Sequence, residues 1–461
     1  MVNKIDFRKF KRWVSDHRER FEDELCQWLR IPSVSADPER AGDVQKAADW
    51  LGDHLKKMGF KTRQYSEGLH PFLVARHEAG PDRPRVLLYG HFDVQPAEPL
   101  DQWRQDPFEP VRRGGFLYAR GASDNKGQFF AHIKAIEGWL RIKGELPVNL
   151  TILAEGEEEI GSPNLPRLLR RIPRELRADY LVISDGSQLG PKQPAICYGL
   201  RGLAYFEITV FGPNRDLHSG AFGGAVVNPA NALAGLLAGL HDDTGRIAIP
   251  GFYDDVLDLD ADERRMLKRL GSQAAELAKE LGVACVGGET GYSVRERTWA
   301  RPTCDINGLS SGHTSAGVKT IIPATATAKV SFRLVPRQSP RKVASGLRKF
   351  IKARVPKGVR VDVKALAAGA EAVLTNRDSP GIRTAKNAIR RGFGVEPVFV
   401  REGGSIPVVP ALIRASRAEP LLIGFGRPDD RCHSPNERFN LTDFRRGILT
   451  SAILLENLSR P

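Results

Sequence analysis

Cysteine is scarce in this chain, five residues of 461. Cys26, Cys197, Cys285, Cys304 and Cys432 are odd in number, scattered, and lack any Cys-x-x-Cys spacing. That pattern argues against a disulfide framework and a sulfur-rich metal site, and reduced thiols are the expectation. Long hydrophobic runs are also missing: nothing approaches the roughly 18 apolar residues of a membrane-spanning helix. The opening stretch MVNKIDFRKFKRWVSDHRERFEDEL is too charged for a signal-peptide core. These absences predict a cytoplasmic protein with no membrane partner. No arginine-rich arm, helix-turn-helix pattern, internal repeat or low-complexity segment stands out, so a nucleic-acid partner is not expected. Acidic residues are the minority, 55 against 69 basic ones, for a net charge of +14. The excess is spread along the chain and favours anionic partners or substrates only through the long-range field.

What is present is enough apolar content, 41%, to build more than one core in a chain of this length. Up to about residue 200 the pattern alternates helix and strand. Val44, Ala48, Leu51, Leu55 and Met58 form an apolar stripe, and Gln128 to Ile142 reads as a helix. Short apolar runs fall at Val86 to Tyr89, Val148 to Ala154 and Tyr180 to Ile183. Such alternation predicts an α/β fold, a mostly parallel sheet with helices on both faces. From about 201 the strands lengthen and alternate, as in AYFEITVF from Ala204 and ATAKVSFRLV from Ala326, with a helix over Asn231 to Leu240. The α/β pattern resumes after Pro380, with a helix near Gly381 to Arg391 and a strand at Pro420 to Phe425. The expected division is a catalytic domain in two parts, 1–200 and 381–461, interrupted by an inserted α+β domain over 201–380.

Seven side chains of metal-site type follow strand-like runs or glycine-marked turns: His91, Asp93, Asp124, Glu158, Glu159, Asp185 and His433. Ligands of open α/β sheets bind beyond the carboxyl ends of the strands, which is where most of these residues fall. His91 and Asp93, two apart in extended backbone, point to one side; the aspartate can orient the imidazole from its second nitrogen. Asp124 can offer one oxygen to each of two cations, or simply pair with Lys126. In EGEEEIGS from Glu155, neighbouring Glu158 and Glu159 face opposite ways, so that one can bind metal and the other move protons. Glu155 and Glu157 read as a solvated acidic loop. Asp185 either binds metal or caps a turn. Oxygen and nitrogen donors alone suit two divalent ions, zinc first, with cobalt or manganese as substitutes.

Seven motifs in order, among them YGHFDVQP from Tyr89, GASDNKGQ from Gly121, EGEEEIGS, DLHSGAFGG from Asp216, SFRLVP from Ser331, REGGSIPV from Arg401 and CHSPNE from Cys432, carry a resemblance over nearly the full length. The chain resembles the M20 metallopeptidases, in the branch of dipeptidases and carnosinase-like or glutamate-carboxypeptidase-like enzymes. The resemblance implies a bridging Asp124, one metal held also by His91 and Asp185, and the other by Glu159 and His433. It implies Glu158 as general base and Asp93 as partner of His91. It implies a homodimer through the inserted lid and dimerisation domain, with His218 crossing the interface to stabilise the tetrahedral intermediate. Arg333 would grip a substrate carboxylate, and Ser405 would contact substrate. Asn125 stands where the family often has aspartate. The expected activity is amide hydrolysis in dipeptides or short peptides with a free carboxylate. An N-acyl amino-acid deacylase on the same fold is the alternative, and a non-catalytic basic binding protein a more distant one.

Overall fold

The computed structural model describes residues 5–271, 274–366, 369–404 and 408–460. The chain forms two compact units: Met1–Tyr198 with Thr375–Val400 and Val408–Pro461, and Gly199–Leu374 with Arg401–Pro407.

In the first unit the apolar runs become neighbouring strands in the order Lys61–Ser66, Pro71–His77, Asn149–Glu155, Arg85–His91, Tyr180–Ile183, Glu419–Ile423 and Ala195–Leu200. The four from Asn149–Glu155 to Glu419–Ile423 run parallel, and the flanking pairings are antiparallel. Both alternating sets of side chains are buried. Val86, Leu88, Leu150 and Val182 line one face, and Leu87, Leu153 and Leu181 the other. This sandwiching explains why the strands read as continuous apolar runs rather than as alternation. The α/β expectation holds.

Helix Ala41–Lys57 buries the stripe Val44, Ala48, Leu51 and Leu55. Helix Lys126–Lys143 is buried on nearly every side, its polar residues Lys126, Gln128, His132, Lys134 and Glu137 included, and with Leu441–Leu458 lies at the centre of the core. Its close approach to the sheet requires glycine at position 90, since a Cβ there would meet the Phe129 ring at 2.5 Å. That contact fixes the backbone one residue before His91.

The second unit has a four-stranded antiparallel sheet in the order Thr303–Ser311, Thr325–Leu334, Gly202–Phe211 and Arg360–Ala365. Burial alternates along Gly202–Phe211 and Thr325–Leu334. Helices Pro229–Ala238 and Pro340–Arg354 cover the apolar face. The charged stretch that follows Pro229–Ala238 carries two short helices, Ala261–Arg269 and Ala274–Leu281.

Candidate metal centre

The parallel strands all deliver their carboxyl ends to one edge of the sheet. His91 is the last residue of its strand, Asp185 lies two past Tyr180–Ile183, and Glu158 and Glu159 open a single 3-10 turn, Glu158–Ile160, after Asn149–Glu155. Asp124 precedes helix Lys126–Lys143. His433 sits in a wound loop with a left-handed backbone, φ 60°.

These loops converge. Asp124 Oδ1 is 3.2 Å from His91 Nε2, which is also 3.6 Å from Asp185 Oδ1. Asp124 Oδ2 is 2.9 Å from His433 Nε2, which is 3.3 Å from Glu159 Oε2. The two oxygens of one carboxylate thus face two separate donor pairs. Glu158 Oε2 lies 4.0 Å from His91 Nε2, at the side of the first pair.

Electrostatics show what this arrangement suits. Burial pushes Glu158 well above the usual carboxylate range, reinforced by Asp185, Glu159 and Asp93 and opposed by His91. Burial, with the charge of Asp124, raises Glu159 to about 7. Asp185 is also raised by burial. Hydrogen bonding to Asp124 and Glu159 lifts His433 to about 10. Crowded buried carboxylates call for compensating positive charge. His91 Nε2 is fully buried and makes no hydrogen bond, although carboxylate oxygens surround it. An orphaned imidazole nitrogen aimed into carboxylates, all of them nitrogen or oxygen donors, fits a divalent cation. Ligand atoms of His91, Asp124 and Glu159 all lie within 4.8 Å of one another.

A supporting shell holds the donors. His91 Nδ1 lies 3.1 Å from the backbone carbonyl of Asp93 and 3.5 Å from its carboxylate. That carboxylate accepts from the Glu158 and Glu159 backbone N–H groups, at 3.2 and 2.9 Å, and from the Ser35 hydroxyl at 2.7 Å. Gln95 Nε2 donates to Glu159 Oε2 at 2.8 Å. Asn125 Nδ2 donates to Asp185 Oδ1 at 2.9 Å. Glu437 accepts from the backbone of Gly121, Ser123 and Asp124. Sequence reasoning passed over Ser35, Gln95 and Glu437. For two of them a signal existed, because Gln95 lies inside YGHFDVQP and Glu437 ends CHSPNE.

Glu155 and Glu157 correct the sequence reading, for both are fully buried. Glu155 accepts from the Tyr89 and Ser162 hydroxyls, at 2.9 and 2.5 Å, and burial raises it to about 8. Glu157 accepts from the backbone N–H groups of Leu69 and His70 and from the side chain of Asn164. They brace the turn that carries Glu158 and Glu159 rather than facing water.

The remaining expected residues belong to the second unit. His218 ends the short strand Leu217–His218, is exposed, and accepts from the Gly220 N–H at 3.0 Å. Arg333 is half-buried on strand Thr325–Leu334 beside Arg201. Arg201 donates to the Gly403 carbonyl at 3.0 Å and is pushed down to about 10, by burial first and then by Arg333. Ser405 lies outside the described residues.

A parallel sheet with histidines and carboxylates gathered past its strand ends, joined to an antiparallel second unit, defines a two-unit α/β protein of metallohydrolase type. Residues 87–457 match the model of peptidase family M20/M25/M40, and the chain belongs to that family. It is 33% identical over 465 residues to a Cys-Gly metallodipeptidase of Schizosaccharomyces pombe, covering 96% of this chain and 97% of the relative. Human carnosine dipeptidase 1 superposes with a TM-score of 0.83 at 30% identity over 99% of both chains. An M20 family metallo-carboxypeptidase from Sulfolobus solfataricus gives a TM-score of 0.84 at 32% identity, covering 95% of this chain and 99% of that one. Among the described residues no helix is long and apolar enough to cross a membrane.

Proposed function

We propose that this chain is a dinuclear-metal dipeptidase that cleaves the amide of unmodified dipeptides or short peptides with a free carboxylate. The observation that carries the reading is Asp124, whose Oδ1 faces His91 and Oδ2 faces His433. In this assignment His91, Asp124 and Asp185 hold one divalent ion, and Asp124, Glu159 and His433 the other, zinc first, with cobalt or manganese as substitutes. Bound there, such ions acidify water and polarise a carbonyl oxygen. The similar proteins named for Cys-Gly and carnosine cleavage support the dipeptide class.

Glu158 is the general base: it takes the proton of the attacking water and hands it to the leaving amine. Asp93 fixes the base by binding its backbone N–H and orients His91 from the other side. Arg333 receives the substrate carboxylate through its planar fork. Ser405 in the glycine-rich turn is a further substrate contact in this reading. His218 stabilises the tetrahedral intermediate from a second copy of the chain, which makes the enzyme a homodimer through the second unit. Edge strand Thr303–Ser311, with Ile306 and Leu309 half or more exposed, supports such pairing. The five free cysteines suit a cytoplasmic location.

The test is Glu158→Gln assayed against unmodified dipeptides and N-acetyl amino acids, with metal content measured in parallel. Metal retained, dipeptide turnover abolished and acetylated substrates poor in the wild type is the expected set. Near-normal rates in the variant would remove the base assignment, and preference for acetylated substrates would make the enzyme a deacylase.

A further inference from the structure

Within the first unit, helix Phe7–Asp16, the turn that ends helix Pro380–Phe393 and the first turns of helix Leu441–Leu458 line an open cavity of about 460 Å³. That volume is within the range of small-molecule sites, roughly 300–1,000 Å³. Among the described residues five cations line it, Lys11, Arg18, Arg391, Arg445 and Arg446, and no acidic residue does.

The acids that reach these cations from neighbouring positions are shared. Glu22 pairs with Arg445 at 2.9 Å but also with Arg112. Asp443 pairs with Arg446 at 3.0 Å but also with Arg427. Glu456 lies 4.0 Å from Arg391 and pairs with Arg460 at 2.8 Å. Glu19, beside Arg18 at 3.6 Å, is itself largely exposed. Among the described residues the cavity therefore keeps a positive excess after these pairings.

Its floor is apolar. Val14, Phe393 and Leu449 are buried beneath it and Phe7 partly so. The Arg391 guanidinium lies 5.3 Å from the Phe7 ring centre, and that of Arg446 lies 5.7 Å from Phe393. Planar guanidiniums present forked donors that match phosphate oxygens. Several of them around one concave floor suit a ligand with three or more negative charges and a flat apolar body.

We propose that this cavity binds a nucleoside polyphosphate, the phosphates on the arginines and the base against Phe7 and Phe393. The site shares no residue with the hydrolytic centre and does not depend on the dipeptidase assignment.

The test is calorimetric titration of the metal-loaded protein with ATP and, separately, with inorganic tripolyphosphate, repeated on Arg18→Glu/Arg391→Glu. Both positions are exposed and outside the catalytic machinery, so dipeptide turnover in the double variant controls for folding. One saturable ATP site per chain is expected, with tripolyphosphate weaker and the double variant at least about tenfold weaker for ATP. Absence of saturable binding, or unchanged ATP affinity in a turnover-competent double variant, overturns the site. Equal affinity for tripolyphosphate and ATP overturns the nucleoside class.

Discussion

The backbone N–H of Asp124 donates to the carboxylate of Glu437 at 3.0 Å, with Ser123 sharing the same oxygen at 2.8 Å. The other oxygen receives the Gly121 N–H at 2.9 Å and Arg120 Nη1 at 2.8 Å. Glu437 and Arg120 are both within 1% of full burial. One buried anion thus shapes the loop that aims both oxygens of Asp124, and it does so from the loop that carries His433.

Glu437→Ala leaves Arg120 as an uncompensated buried charge, and a loss of about 3–5 kcal/mol is expected in urea unfolding. Glu437→Gln keeps the shape but weakens the hold on the loop. It is expected to stay folded and bind its metal about tenfold or more weakly in chelator competition. Unaltered metal affinity in Glu437→Gln would show that the loop holds itself.

Asp93 acts chiefly through backbone. Its carboxylate accepts three hydrogen bonds, two from the residues proposed as base and ligand. Asn at this position turns an N–H₂ toward an N–H donor, so the turn over Glu158–Ile160 shifts. Misplacement by about 1 Å costs roughly a hundredfold in rate, and Asp93→Asn is expected to lower kcat by that order. Ser35→Ala removes one donor of three and should lower kcat far less. Equal losses in the two variants would contradict this division, and steady-state kinetics on a dipeptide decides it.

The strand ends and the converging donors were legible in the sequence because apolar runs and the residues just after them are local signals. His91 and Asp185 needed only the end of their own strand to be placed. Glu155 and Glu157 were misread because their partners, Tyr89 and the Leu69–His70 backbone, come from other strands and loops. Local crowding of glutamates looks the same whether water or buried donors satisfy it. Gln95 and Glu437 sat inside motifs already noticed, yet their tasks depend on which backbone amides and carboxylates folding brings within reach. Strand Ala195–Leu200 is buried throughout and strand Gly202–Phe211 alternates, a contrast that hydropathy carries because it records whether one or both faces are covered. The return of Arg401–Pro407 to the second unit has no counterpart in hydropathy.

A second cluster supplies the pH dependence. The buried ammonium of Lys134 donates to Glu24, to Glu137 at 2.8 Å and to His54 Nε2 at 2.9 Å. It fills the space among three groups that could otherwise take a cation. Burial first, then Lys134 and more weakly Lys57, depress His54 to about 4, against the pull of Glu24 and Glu137. The unfolded chain binds a proton on this histidine near pH 6.5, whereas the folded chain waits until about 4. Stability is therefore complete above pH 6.5 and declines as pH falls from there to 4, by up to about 3 kcal/mol at 1.36 kcal/mol per unit. His54→Gln keeps an acceptor for Lys134 and removes the titration. The wild-type loss between pH 6.5 and 4 should exceed that of the variant in denaturant unfolding, and parallel curves would contradict the assignment.

Metal dependence tests the account at its centre. Protein stripped by a chelator and titrated with zinc, with cobalt and manganese in parallel, should be inactive on an unmodified dipeptide at the start. Activity should rise to a plateau at two equivalents per chain, one for each side of Asp124. Full turnover by the stripped protein, or a plateau reached with no cation added, would contradict it.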